Sequence, residues 1–310
     1  MSFQQASAGI GAGGLLAATA QFRSEHAGLI SKGGGEYQRI PETIGQFEAA
    51  RVAAEQRDEA KSRSFWSELG EFSKHGFNYW ADKARFEEDI KELVEGAKQA
   101  LEELRSEVAK ATAHLDVPKK LQSEVDQWKR VHQALLEPEK RLPSFQEIEG
   151  WAGQAAEVYR TMAKIQDQAV KEYVPMAFAM RKTLAAAQEY NEAVLTAVQG
   201  SLEGALEQAR KDVPGGPKEY YTNTANFITA VSQATLEIKR ALSMANAPSE
   251  ALAGEVQRQA ASPAVIAAGW PTGTSLADTA ARQGAGVEGP ELDDSVELDV
   301  CLVPVQAAKR

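Results

Sequence analysis

Apolar residues recur along most of this chain at alternating spacings of three and four, the period of a helix that buries one stripe. The clearest run is Phe86, Ile90, Leu93, Ala97, Leu101, Leu104, Val108, Ala111 and Leu115, with Glu, Lys, Asp and Arg between them. Such a seam belongs to helices that pack side by side. Pro118 interrupts or kinks it, because proline has no N–H to give and crowds the preceding turn. The pattern resumes at Leu121, Val125, Trp128, His132 and Leu135 and stops at Pro138.

Two prolines and two glycines between residues 138 and 154 make the chain turn. A second long stripe follows: Val158, Met162, Ile165, Ala169, Tyr173, Met176, Met180, Leu184, Ala187, Val194, Val198, Leu202 and Leu206. Pro175 is expected to kink it, and Gly200 and Gly204 to weaken its end. An earlier helix is expected from 42 to 72, opened by Pro41 and anchored by Ile44, Phe47, Val52, Phe65, Trp66, Leu69 and Phe72. Pro214-Gly215-Gly216-Pro217 is a stop and turn, and Tyr221, Ala225, Ile228, Val231, Thr235, Ile238 and Leu242 then mark one more helix over 218–246.

The ends lack this period. Residues 1–40 are rich in Gly, Ala and Ser and read as a flexible leader with one short helix at most. Residues 248–310 read as a mostly disordered tail. Within it Val296, Leu298, Val300 and Leu302 alternate like a short strand over 296–302. The expected fold is therefore all-α: an elongated antiparallel helical bundle over 41–247, built on a long hairpin at about 80–212.

Composition adds exclusions. Helix-forming residues dominate, only 7% of the 310 residues are aromatic, and 43% are hydrophobic, enough to bury a core. A net charge of −10 without a Lys/Arg cluster argues against nucleic acid. The single cysteine, Cys301, can form neither an intramolecular disulfide nor a Cys-rich zinc site, and Asp299 beside it disfavours a thiolate. The four histidines (His26, His75, His114, His132) do not stand at ligand spacing, and His132 reads as a packing residue. Carboxylate groups such as Glu87-Glu88-Asp89 and Glu102-Glu103 lie off the seam and face water. The glycine-rich stretch 8–14 has no strand before it and no Gly-Lys-Ser/Thr after it, so it does not cradle phosphate. No enzyme, cofactor or metal is expected.

No basic residue precedes the apolar stretch from Ala8 to Ala20, which argues against a Sec signal peptide. No run approaches the roughly 18 apolar residues of a membrane span.

One motif is informative. Gly150-Trp151-Ala152-Gly153-Gln154-Ala155-Ala156-Glu157-Val158-Tyr159 sits between the two long stripes. It resembles the W-x-G family of type VII secretion proteins, in which a Trp and a Gly two residues on mark the turn of an antiparallel helical hairpin. Small residues and an aromatic follow on the second helix of that hairpin. Trp151, Gly153, Ala155, Ala156 and Tyr159 occupy the matching places, and the resemblance covers about 119–212, or 80–212 if the helix continues through Pro118. It implies that Trp151 closes the helix pair like a lid while Gly153 lets the backbone turn. The packing seam is expected to run through Phe86, Leu93, Leu101, Leu104, Trp128, Met162, Ile165, Tyr173, Met180 and Leu184.

The resemblance further implies a non-enzymatic substrate or structural component of a type VII-like pathway. Such a protein is made in the cytoplasm, is exported without a Sec signal, and acts through self-assembly or helix packing with a protein partner. The family's Tyr-x-x-x-Asp/Glu signal is missing after the hairpin: Tyr190, Tyr220 and Tyr221 are followed at the fourth position by Val194, Thr224 and Ala225. Export would then use a partner's signal or another determinant. Two other classes compete: a membrane-active toxin component inserting 8–20 or 174–187, disfavoured by glycine in the first and by Arg181 and Lys182 in the second, and a coiled-coil scaffold unrelated to secretion.

Overall fold

A computed structural model describes residues 12–72, 79–214 and 221–260. It is an all-α bundle: α1 (Ala12–Glu25), α2 (Ala27–Gly33), a 3-10 turn (Tyr37–Arg39), α3 (Ile40–Phe72), α4 (Tyr79–Thr112), α5 (Val117–Phe145), α6 (Gln154–Arg210) and α7 (Thr222–Ala260). No strand occurs among the described residues. The strand-like stretch 296–302 and the tail around it lie outside them.

Two compact units can be distinguished. Of the described residues, those up to 137 and those from 173 onward form one, and 138–172 belong to the other. In the first, α3, α4, α7 and the end of α6 enclose a core of Phe47, Leu101, Leu104, Val108, Val198, Leu202, Phe227, Val231 and Ile238, each at most 2% exposed. These residues recur on one face of each helix, which is why the stripe in the sequence becomes the core. Gln199 crosses this interior and donates from Nε2 to Thr43 Oγ1 at 3.0 Å and to Glu203 at 2.8 Å.

A short stretch of α3 holds the connection from α6 to α7. Arg57 donates to the carbonyls of Arg210 (2.9 Å) and Ala209 (3.3 Å), and Lys61 donates to Val213 O (2.9 Å) and Asp212 (2.7 Å), so cations meet the carbonyl end of α6. Between them Asp58, fully buried, accepts from the backbone N–H and side chain of both Asn223 and Thr224, at 2.7 to 3.2 Å. A carboxylate thus caps the first turn of α7 and satisfies amides that helix geometry leaves without a partner.

The leader is where expectation and structure part. Residues 12–33 form α1 and α2, with Leu15 and Phe22 buried against Ala186, Tyr190, Val194 and Ala241. Phe22 stacks on His26 at 4.2 Å and meets Tyr190 edge-on at 5.5 Å. The Tyr190 hydroxyl donates to Met244 O at 3.0 Å. Burial pushes the Tyr190 phenol up to about 12. Small residues, read in the sequence as flexibility, serve here as close packing. A Cβ on Gly33 would lie 2.2 Å from Thr196 O, and one on Gly200 would lie 1.8 Å from Leu29 O. Backbone therefore meets backbone where α2 crosses α6, and the expectation that Gly200 merely weakens its helix is corrected.

Pro138 behaves differently from expectation: α5 does not stop there but includes it and Pro143. α6 is continuous through Pro175. Each ring removes one ladder bond. Pro118 matches its expected role better: it lies in the first turn of α5, after the turn at 113–116. α7 extends beyond 246, to Ala260.

Candidate interaction site at the hairpin turn

Gln146 to Gly153 connect α5 to α6. Gly150 and Gly153 take φ of +78° and +103°, a region closed to most side chains, so the Gly-Trp-Ala-Gly spacing reverses the chain over a few residues. Gly153 then accepts from Glu157 N at 3.2 Å and begins α6. Arg160 donates to Trp151 O at 3.1 Å, tying the turn to the first turns of that helix. At the other side of the turn the buried Asp167 accepts from Gln146 Nε2 at 2.9 Å and from Lys171 Nζ at 2.6 Å.

Trp151, Gly153 and Tyr159, singled out from the sequence, come together here: the two rings lie 5.2 Å apart, centroid to centroid, tilted by 53°. Trp151 is nevertheless 38% exposed. It leans on Tyr159 instead of plugging the helix pair, which corrects the lid expectation. Phe145 and Ile148 are exposed beside it in the sequence, at 51% and 47%. Glu147 and Glu149 between them are exposed as well. The role of Gly150 and the Gln146–Asp167 bond were not anticipated. The second glycine of the Gly-x-x-Gly pair was the available signal for the first, and nothing local signalled the second.

The expected seam divides by location. Leu101, Leu104 and Met180 are buried, whereas Leu93, Trp128, Met162, Ile165 and Leu184 are half-buried. Tyr173 is exposed, so its place in the seam is corrected. Phe86 lies on α4, outside the residues whose side chains are described. On α5 only Pro118 is buried. A single facing helix covers one flank of a stripe and leaves the other open. His132 is half-buried with its ring 5.5 Å from that of Phe178.

Among the described residues no cluster of His, Cys, Asp and Glu could hold a metal ion, and no helix is long and apolar enough to cross a membrane. No family model, curated protein or solved structure matches the chain.

Proposed function

We propose that the chain is a non-catalytic helical protein that works by helix-to-helix association, with a partner protein or with further copies of itself, through the end of α5, the turn after it and the start of α6. One observation carries this reading. Among the described residues, three large apolar side chains within seven positions of one another, Phe145, Ile148 and Trp151, are exposed. Apolar surface left in water costs about 25 cal/mol per Å², so a concentration of it in one segment marks where a partner would gain most. The resemblance of the turn to W-x-G proteins supports the further reading that the chain is a substrate or structural component of a type VII-like secretion pathway.

The test combines light scattering with capture from the native host. The intact chain should form a defined multiple of 33.5 kDa or retain a helical partner. A variant carrying Phe145→Ser, Ile148→Ser and Trp151→Ser should keep its helix content and lose that association. Association unchanged in the variant, or a wild type that is monomeric and captures nothing, would refute the reading. Export is tested separately by comparing culture supernatants of the host with and without its type VII machinery.

A further inference from the structure

Two surfaces of the first unit are complementary to one another in charge. On α6, Phe178 is 36% exposed, with the Arg181 guanidinium 5.2 Å and the Lys182 ammonium 4.6 Å from its ring centroid. Among the described residues neither cation is matched by a carboxylate, although carboxylates outnumber basic groups by 44 to 34 in the chain. Cations held against a half-exposed ring, with no anion assigned to them, form a surface that an acidic helix would satisfy.

The chain carries such a helix. At the start of the described side chains of α4, Glu87, Glu88, Asp89 and Glu92 are exposed and form no ion pair with another described residue. Ile90, Leu93 and Val94 on the same stretch are only half-buried, and the core on α4 begins further on, at Ala97. Glu88 and Glu92 stand one turn apart, hence on one face, at a spacing that two adjacent cations can meet.

Building on the association reading above, we propose that the occupant of the Phe178–Arg181–Lys182 surface is a second copy of this chain, which presents Glu88 and Glu92 of its α4. The two surfaces differ, so the contact is head-to-tail, and a pair of copies still offers one free basic and one free acidic surface to further copies. Assembly would then grow stepwise with concentration and weaken with salt, because the matched charges lie at the surface.

Charge exchange tests this on the full chain by sedimentation at about 50 mM salt, where surface charge is least screened. Arg181→Glu with Lys182→Glu, and separately Glu88→Lys with Glu92→Lys, should each weaken association at least about tenfold, because like charges then face each other. Mixing the two variants should restore it, since the first offers a normal acidic face and the second a normal basic face. The chain carrying all four changes should also associate. Circular dichroism checks that each variant folds. If the mixture and the fourfold variant stay apart, or if the wild type associates and ignores both exchanges, the proposed contact is wrong; in the second case the hairpin reading stands. A wild type that neither self-associates nor captures a partner removes both.

Discussion

The end of α6 and the middle of α5 carry equally regular apolar stripes, yet they reach different ends. Around the former, α3, α4 and α7 cover the apolar face, and Leu202 and Val198 are fully buried. On α5, Leu121, Val125, Trp128 and Leu135 are all half-buried. Periodicity thus shows which face of a helix is apolar, whereas the number of neighbours decides whether that face becomes core or a surface available to others.

The largest test of this contrast is a truncation in each region. Phe227→Ala, at a fully buried ring, should cost about 3–5 kcal/mol, whereas Trp128→Ala should cost about half as much or less, because part of its surface already meets water. Equal losses in chemical denaturation would break the comparison. Next in size, Asp58→Ala should cost about 3 kcal/mol, since it leaves buried donors of Asn223 and Thr224 without their carboxylate. Hydrogen exchange should quicken first in the opening turns of α7. Uniform loosening of the bundle would show that Asp58 is not a local cap.

Much of this was legible. The seam through Leu101 and Leu104, the helix from about 42 to 72, the turn at 146–153 and the stop near Pro214 all follow from spacing and turn chemistry. The leader was not legible, because Gly33 and Gly200 act through a crossing between residues far apart in sequence. Read locally, the same glycines signal flexibility; only the partner backbone turns them into contact points. Asp58 was invisible for a similar reason: its ligands lie 165 and 166 residues away. Exposure of Trp151 could not be read either, since a motif names a ring without saying how many neighbours surround it.

The crossing gives the next prediction. Gly200→Ala places a methyl group 1.8 Å from the Leu29 carbonyl oxygen, which backbone cannot relieve without moving. A loss of about 2 kcal/mol is expected. Rapid exchange should be confined to α1 and α2 while the four-helix core stays protected. An unperturbed leader would mean that the helices do not cross there. The same contact has a pH limit. Tyr190 has its phenol raised to about 12, above the ordinary value near 10, so the stability it contributes is complete below pH 10 and falls as pH rises through about 12. Tyr190→Phe should flatten that fall, and should cost about 1 kcal/mol at neutral pH through the lost bond to Met244.

The smallest expected effect on stability is also the most discriminating. Trp151→Ala removes a ring that touches Tyr159 but is 38% exposed, so stability should drop by no more than about 1 kcal/mol. A buried lid would cost about 3–5 kcal/mol. If association falls strongly while the melting temperature barely moves, Trp151 belongs to a surface that a partner completes. If stability falls by the larger amount, the turn is part of the fold's own core, and the contrast between a closed bundle and an open hairpin no longer holds at this end of the molecule.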